Sequence, residues 1–151
     1  MFWCNSGDNN SDNDLLSVGY RDGSDNNHYA AVWRGMDLYL SPDFNDGRES
    51  AAMSVVAFSG PSGEPVVYYG GSREDAGGQY EQATVWRNNA VLYTLTEPGV
   101  SGLVTSLDYY DGTLYSLVVE VDSEGAASLN LYENQNLTFT AIDGIAVNYT
   151  S

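Results

Sequence analysis

Residues 82–96 read QATVWRNNAVLYTLT. Two strand-like runs flank Asn88-Asn89, a pair that tolerates the positive φ of a tight hairpin turn. A related phrase, YAAVWRGMDLYLS, stands at 29–41. A hairpin that recurs makes the chain a repeat protein, so self-similarity is the first property to test.

Three anchors line up. Trp33, Trp86 and Tyr132 close the runs YAAVW, QATVW and SLNLY, at spacings of 53 and 46. Gly19, Gly71 and Val118 follow LLSV, VVYYG and LYSL, at spacings of 52 and 47. Ser54-Val55 in AMSVVAFSG matches Ser106-Leu107 in VTSLDYYDG and Ala146-Val147 in GIAVNYTS. The hairpin is thus one copy of a unit of about 50 residues, and the copies fall at 15–60, 61–112 and 113–151.

Each unit holds four short strand candidates; in the middle copy they are 65–70, 82–87, 90–96 and 103–110. Asp111-Gly112 is a strong two-residue hairpin signal. No segment sustains a 3.6-residue apolar period, so the expected class is all-β, with the repeated Trp, Tyr and Val as core.

The order SVVAFSG, PVVYYGG, ATVWRNN, LYTLT resembles the repeats of bacterial surface lipoproteins that run SVYVSG, DVYVAG, ATLWKNG, LT. The resemblance spans residues 15–151 and is weakest in the third copy, LYENQNLTFTAIDG. Asn88-Asn89 stand where that pattern has Asn-Gly, and Arg87 where it has Lys. The resemblance implies a β-propeller with one four-stranded blade per unit, and a cell-surface location; the family is largely uncharacterised and implies no activity. Propellers have four to eight blades, and twelve strands make three. The chain is then part of a longer array, or half of a six-bladed homodimer. A β-trefoil is the alternative, since threefold repetition in a chain of this size fits it too.

Composition narrows the partners. Twenty-one acids against five Arg, with no Lys, leave a formal net charge of −16. Such a surface repels phosphate backbones and excludes nucleic acid as a partner. Twelve Tyr and sixteen Gly with only four Pro suit strands joined by tight turns.

The first residues, MFWCNSGDNNSDND, differ from the rest. The segment after Cys4 is composed of Asn, Asp, Ser and Gly, so 1–14 is expected to be a disordered polar tether. Cys4 is the only cysteine, which rules out an internal disulfide. A Cys followed by a polar tether resembles the start of a mature bacterial lipoprotein. That implies lipidation at Cys4, a periplasmic or cell-surface location, and membrane attachment through the lipid alone. Trp3 departs from the small residue expected before such a Cys.

Catalytic motifs are sparse. His28 is the only histidine, no G-x-S-x-G elbow supplies a serine, and the absence of Lys removes Schiff-base chemistry. The segment SPDFNDGRES at 41–50 fails as a sialidase-type box, with Asn45 at the glycine position.

Alignment of the units instead gathers carboxylates. The loops at 21–28, 72–81 and 120–127 carry Asp22 and Asp25; Glu74, Asp75 and Glu81; and Glu120, Asp122 and Glu124, beside Arg21 and Arg73. Equivalent loops of a propeller emerge on one face, where eight carboxylates would concentrate cations and offer oxygen ligands to calcium. The expected function is a non-enzymatic binding or scaffold module that takes a protein, glycan or cation through its loops. The alternative is a carbohydrate-active or lectin-like domain, which needs Tyr29, Tyr80 or Tyr110 exposed.

Overall fold

A computed structural model describes residues 2–4, 15–42, 47–142 and 145–148, the first and last of these as backbone alone. The described residues contain no helix. In chain order the strands are β1 (Phe2–Cys4), β2 (Leu16–Asp22), β3 (His28–Arg34), β4 (Asp37–Leu40), β5 (Ser50–Ser59), β6 (Pro65–Glu74) and β7 (Glu81–Arg87). They continue with β8 (Ala90–Thr94), β9 (Ser101–Tyr110), β10 (Thr113–Val121), β11 (Ala127–Glu133), β12 (Asn136–Ile142) and β13 (Ile145–Asn148). Three antiparallel sheets result: β2-β3-β4 (sheet A), β5-β6-β7-β8 (sheet B) and β9-β10-β11-β12 (sheet C). The short β1 and β13 extend sheets A and C beside β2 and β12. The fold is all-β, and among the described residues the sheets do not close into a ring or barrel.

The anchors read from the sequence occupy matching places. Trp33, Trp86 and Tyr132 sit on the third strand of the β1–β4, β5–β8 and β9–β12 series. Opposite each anchor the fourth strand carries one extra residue, at Tyr39, Leu92 and Thr138. These bulges recur at the anchors' own spacings of 53 and 46. A bulge re-aims the strand that carries it, so the outer strand bends alike in every sheet. A second bulge, at Met53 in β5 and Thr105 in β9, precedes the matched Ser54-Val55 and Ser106-Leu107.

The turns follow the same register. Gly35, Asn88 and Asn134 take positive φ values of 60°, 51° and 55°, which Gly and Asn accept more readily than other residues. The amide of Asn88 donates to the carbonyl of Val67 (2.9 Å), and that of Asn134 to Leu114 (2.7 Å). Their side-chain oxygens accept from the amides of those same residues, at 3.1 and 3.2 Å. Each Asn therefore pins its hairpin to the start of the second strand.

Two expectations are corrected. The sheets are set one strand out of phase with the units 15–60, 61–112 and 113–151. Ser50–Ser59 opens sheet B, and Ser101–Tyr110 opens sheet C. The reason is connection length. Asp111 and Gly112 (φ 46° and 83°) form a tight turn that commits 101–110 to β10. The turn at 60–64 does the same for β5, closed by Gly60 N–H to Glu64 O at 2.8 Å. The second correction is at the start of the chain, where Phe2–Cys4 pairs with Leu16–Val18 instead of standing free. The polar stretch 5–14 lies outside the described residues.

Packing runs from sheet to sheet in sequence order. Val18, Ala30 and Val32 of sheet A meet Ala52, Val55, Val67, Tyr69 and Trp86 of sheet B. Ala83 and Val85 on the opposite face of sheet B meet Val104, Leu107, Leu114, Val118 and Tyr132 of sheet C. Burying each such Val or Leu side chain contributes about 1.5–3 kcal/mol. The amide of Leu107 donates to Ser54 Oγ at 3.0 Å, which ties β9 to β5 across the second seam.

Candidate functional site

The three acidic loops are the β2–β3, β6–β7 and β10–β11 hairpins, at matching ends of their sheets. Each is closed by a backbone bond: Gly23 N to Asn27 O (2.8 Å), Asp75 N to Tyr80 O (2.8 Å) and Asp122 N to Ala126 O (3.1 Å). Positive φ at Asn26, Gly78 and Gly125 turns the chain inside each one.

Most of the carboxylates serve those loops. Asp75 Oδ1 accepts from the amides of Gly77 (3.1 Å) and Gln79 (2.9 Å). Asp122 Oδ1 accepts from Glu124 (2.8 Å) and Ala126 (2.9 Å). Asp25 accepts from the Tyr29 hydroxyl and the amide of Asn27. Glu120 Oε1 takes the Tyr132 hydroxyl at 2.7 Å, and Glu74 takes the amide of Glu49. Asp22 Oδ1 lies 2.8 Å from His28 Nδ1. Of the eight, only Glu81 and Glu124 accept no such bond from the described residues. The described residues contain no group of three or more His, Cys, Asp or Glu side chains able to hold a metal ion. Among the described residues the carboxylates share an end of the molecule, and most of them organise loop backbone.

Hydrogen bonding to the ionised form lowers a carboxyl pKa. The Tyr29 hydroxyl, ahead of the Asn27 amide, holds Asp25 below the ordinary value of 3.8. The loop amides, Gln79 first, do the same for Asp75. The stability Asp75 contributes is therefore complete above pH 3.8 and is lost as the pH falls through its lower folded pKa. Asp75→Asn should melt below the parent protein at neutral pH, and the gap should close as the solution is acidified past pH 3.8. Thermal melts across the acidic range measure it; a gap of constant size would show that the charge on Asp75 does not strengthen the loop.

A concave feature lies at this end. A cleft of about 190 Å³ is lined by Tyr20, His28, Glu49, Ser50, Ala51, Ser72 and Glu81, drawn from sheets A and B. His28, expected as a loop residue, is the first residue of β3, and its ring lies 4.5 Å from that of Tyr20. Asp22 holds its Nδ1 from outside. Ser50 Oγ is already an acceptor, from the amide of Ala30 at 2.9 Å. What remains available is the half-exposed Tyr20 ring, the second imidazole nitrogen, and the exposed Glu49 and Glu81. Sequence reasoning missed Tyr20 and Glu49, which belong to no repeated phrase.

The three tyrosines set aside as sugar platforms are not alike. Tyr29 is buried, Tyr80 is half-buried and Tyr110 is 73% exposed. Tyr110 sits at the β9–β10 turn, the opposite end of sheet C from the acidic hairpins. Comparison of the chain with protein-family models, with curated proteins and with solved structures yields no match.

Proposed function

We propose that this chain is a non-enzymatic binding module whose hairpin end receives a basic protein partner, one cationic side chain entering the cleft between sheets A and B. The observation that carries this reading is the lining of that cleft, where Glu49 and Glu81 stand beside the Tyr20 ring. Carboxylates and an aromatic face are complementary to an ammonium or guanidinium group. Size supports a side chain over a whole ligand, since about 190 Å³ is below the roughly 300–1,000 Å³ of ordinary small-molecule pockets. The net charge of −16 would speed encounter with a basic surface, an effect that falls with added salt.

In this reading the three sheets are propeller-type blades. The repeated bulges and seams support it, and the absence of strand pairing between sheets among the described residues tells against a trefoil barrel. Placement at the cell surface through a lipid on Cys4 rests on the sequence resemblance alone. Processing before Cys4 would remove two of the three residues of β1.

The test is calorimetric titration with a Lys-rich peptide and with a Glu-rich control. The Lys-rich peptide should bind at low salt, and Glu49→Gln with Glu81→Gln should weaken it about tenfold, the size of one or two charge-assisted contacts. Equal affinity of the double variant, or no discrimination between the peptides, overturns the cleft as the binding site. Saturable binding of a neutral oligosaccharide in the same assay would favour the lectin-like reading instead.

A further inference from the structure

Away from the acidic hairpins, the seam between sheets B and C ends in a cluster of aromatic rings. Phe58 of β5 stacks on Tyr109 of β9, with ring centroids 4.2 Å apart and planes inclined by 10°. The Tyr68 ring of β6 lies 5.8 Å from each of them. The Arg87 guanidinium, at the end of β7, stands 5.9 Å from the centre of the Tyr68 ring, within reach of a cation–π contact. Tyr93 of β8 packs against the same core cluster as Tyr68 and Tyr109. Five consecutive strands thus bring one side chain each to this place.

Repeat register sets the phenols apart. Tyr68 pairs with Arg87 in sheet B as Leu16 pairs with Arg34 in sheet A. Tyr109 follows Ser106 by the same interval as Ala57 follows Ser54. Where the seam between A and B packs Leu16 and Ala57 into an apolar core, the seam between B and C therefore carries two phenols. Phe58 shows that a ring without a hydroxyl fits the same stack.

A buried or half-buried Tyr hydroxyl ordinarily finds a partner, and those of Tyr29, Tyr69 and Tyr132 do. Among the described residues the half-buried Tyr68, Tyr93 and Tyr109 have no hydrogen bond to their hydroxyls. Arg87 is exposed and forms no ion pair with a described carboxylate. Burial raises the Tyr68 phenol above its ordinary 10.0, with Arg87 opposing and Tyr109 and Tyr93 adding to the rise. At neutral pH the phenol therefore keeps its proton and can donate it.

We propose that this end of the seam between sheets B and C binds a sugar carrying one carboxylate, with Arg87 on the carboxylate and the three phenols on the sugar hydroxyls. A guanidinium grips a carboxylate through paired N–H bonds, and a phenol both donates and accepts, as sugar hydroxyls require. Net charge selects a single anion, because a polyanion is repelled by the rest of a surface carrying −16. Glu81 opens β7 and Arg87 closes it, so this site lies a strand's length, about 20 Å, from the cleft. Either site can fail without the other.

The test is calorimetric titration with a disaccharide ending in glucuronate, beside the same disaccharide ending in glucose. The acidic sugar should bind saturably, and the neutral one should show no saturation over the same range. Arg87→Gln, a change at an exposed side chain, should lower affinity for the acidic sugar at least about tenfold, the size of a lost charge-assisted contact. Tyr68→Phe combined with Tyr109→Phe keeps both rings in the stack and should also lower it about tenfold. Glu49→Gln with Glu81→Gln should leave it unchanged. Absence of saturable binding, equal affinity for the two sugars, or full affinity in either the Arg87 or the tyrosine variant would overturn the proposal. So would a Glu-rich peptide held as tightly through the same residues.

Discussion

Trp86→Ala should destabilise the fold by about 3–5 kcal/mol, the range for removing a fully buried large aromatic side chain. Single domains carry about 5–15 kcal/mol in all, so one substitution is enough to leave the chain partly unfolded at moderate temperature. Trp86 is 0% exposed, stacked on Tyr69 at 5.3 Å and 11°, and belongs to the cluster that joins sheets A and B. Trp33→Ala at the equivalent position should cost less, about 1–2 kcal/mol, because that side chain is half-buried. Trp86→Phe separates volume from polarity. The indole Nε1 is buried with no hydrogen-bond partner among the described residues, and such a donor costs about 1–3 kcal/mol. Phe loses volume, keeps a ring against Tyr69 and removes that donor, so it should fall well short of the Ala penalty. Urea denaturation of the three variants measures the order. Equal costs for Trp33→Ala and Trp86→Ala would mean that seam burial is not what distinguishes them.

Gly71→Ala should be nearly as damaging, at about 3 kcal/mol or above, the upper end of overpacking costs. A Cβ there would overlap the carbonyl oxygen of Ala51 and crowd Ala52 Cα, both backbone atoms of β5 next to its bulge. Backbone in a paired strand cannot step aside as the tip of a side chain can. The aligned residue in sheet A behaves differently, since a Cβ on Gly19 would meet the Trp33 ring at 3.5 Å, an ordinary contact. Gly19→Ala should therefore be neutral or stabilising by about 0.5 kcal/mol, from the smaller backbone entropy of the unfolded chain. Sheet C carries Val118 at this position, fully buried. What decides tolerance is the set of the neighbouring strand and not the position itself. Matched melts of the two Gly→Ala variants check this, and similar midpoints would show that β5 yields at little cost.

Much of the fold was legible because the repeat is written in residues that do geometric work. Trp33, Trp86 and Tyr132 mark one face of the third strand, and the bulges at Tyr39, Leu92 and Thr138 keep the same spacing. Asn88 was readable as a turn residue because few side chains accept its φ of 51°. The grouping of strands into sheets was harder to read. Repeat anchors keep their spacing wherever the unit is cut, and only connection length shows that Asp111-Gly112 joins two strands of one sheet.

The candidate site was less legible. Composition showed eight carboxylates at matching loops, but whether an oxygen is free depends on nearby amides. Asp75 and Asp122 face their own loop backbone, and no count of acidic residues reveals it. Tyr20, His28, Glu49 and Glu81 come together only where two sheets meet. Their separation along the chain follows no period.

Because the packing clusters join A to B and B to C, the molecule behaves thermodynamically as a short row of coupled units, each feeling its nearest neighbour. The middle unit has two couplings and each outer unit has one. A lesion in the seam core at Trp86 therefore acts on a unit whose loss strands both others, whereas fraying begun at either end costs a single coupling. Opening should accordingly proceed inward from sheets A and C, and sheet B is the part of this chain that lets the whole unfold as one.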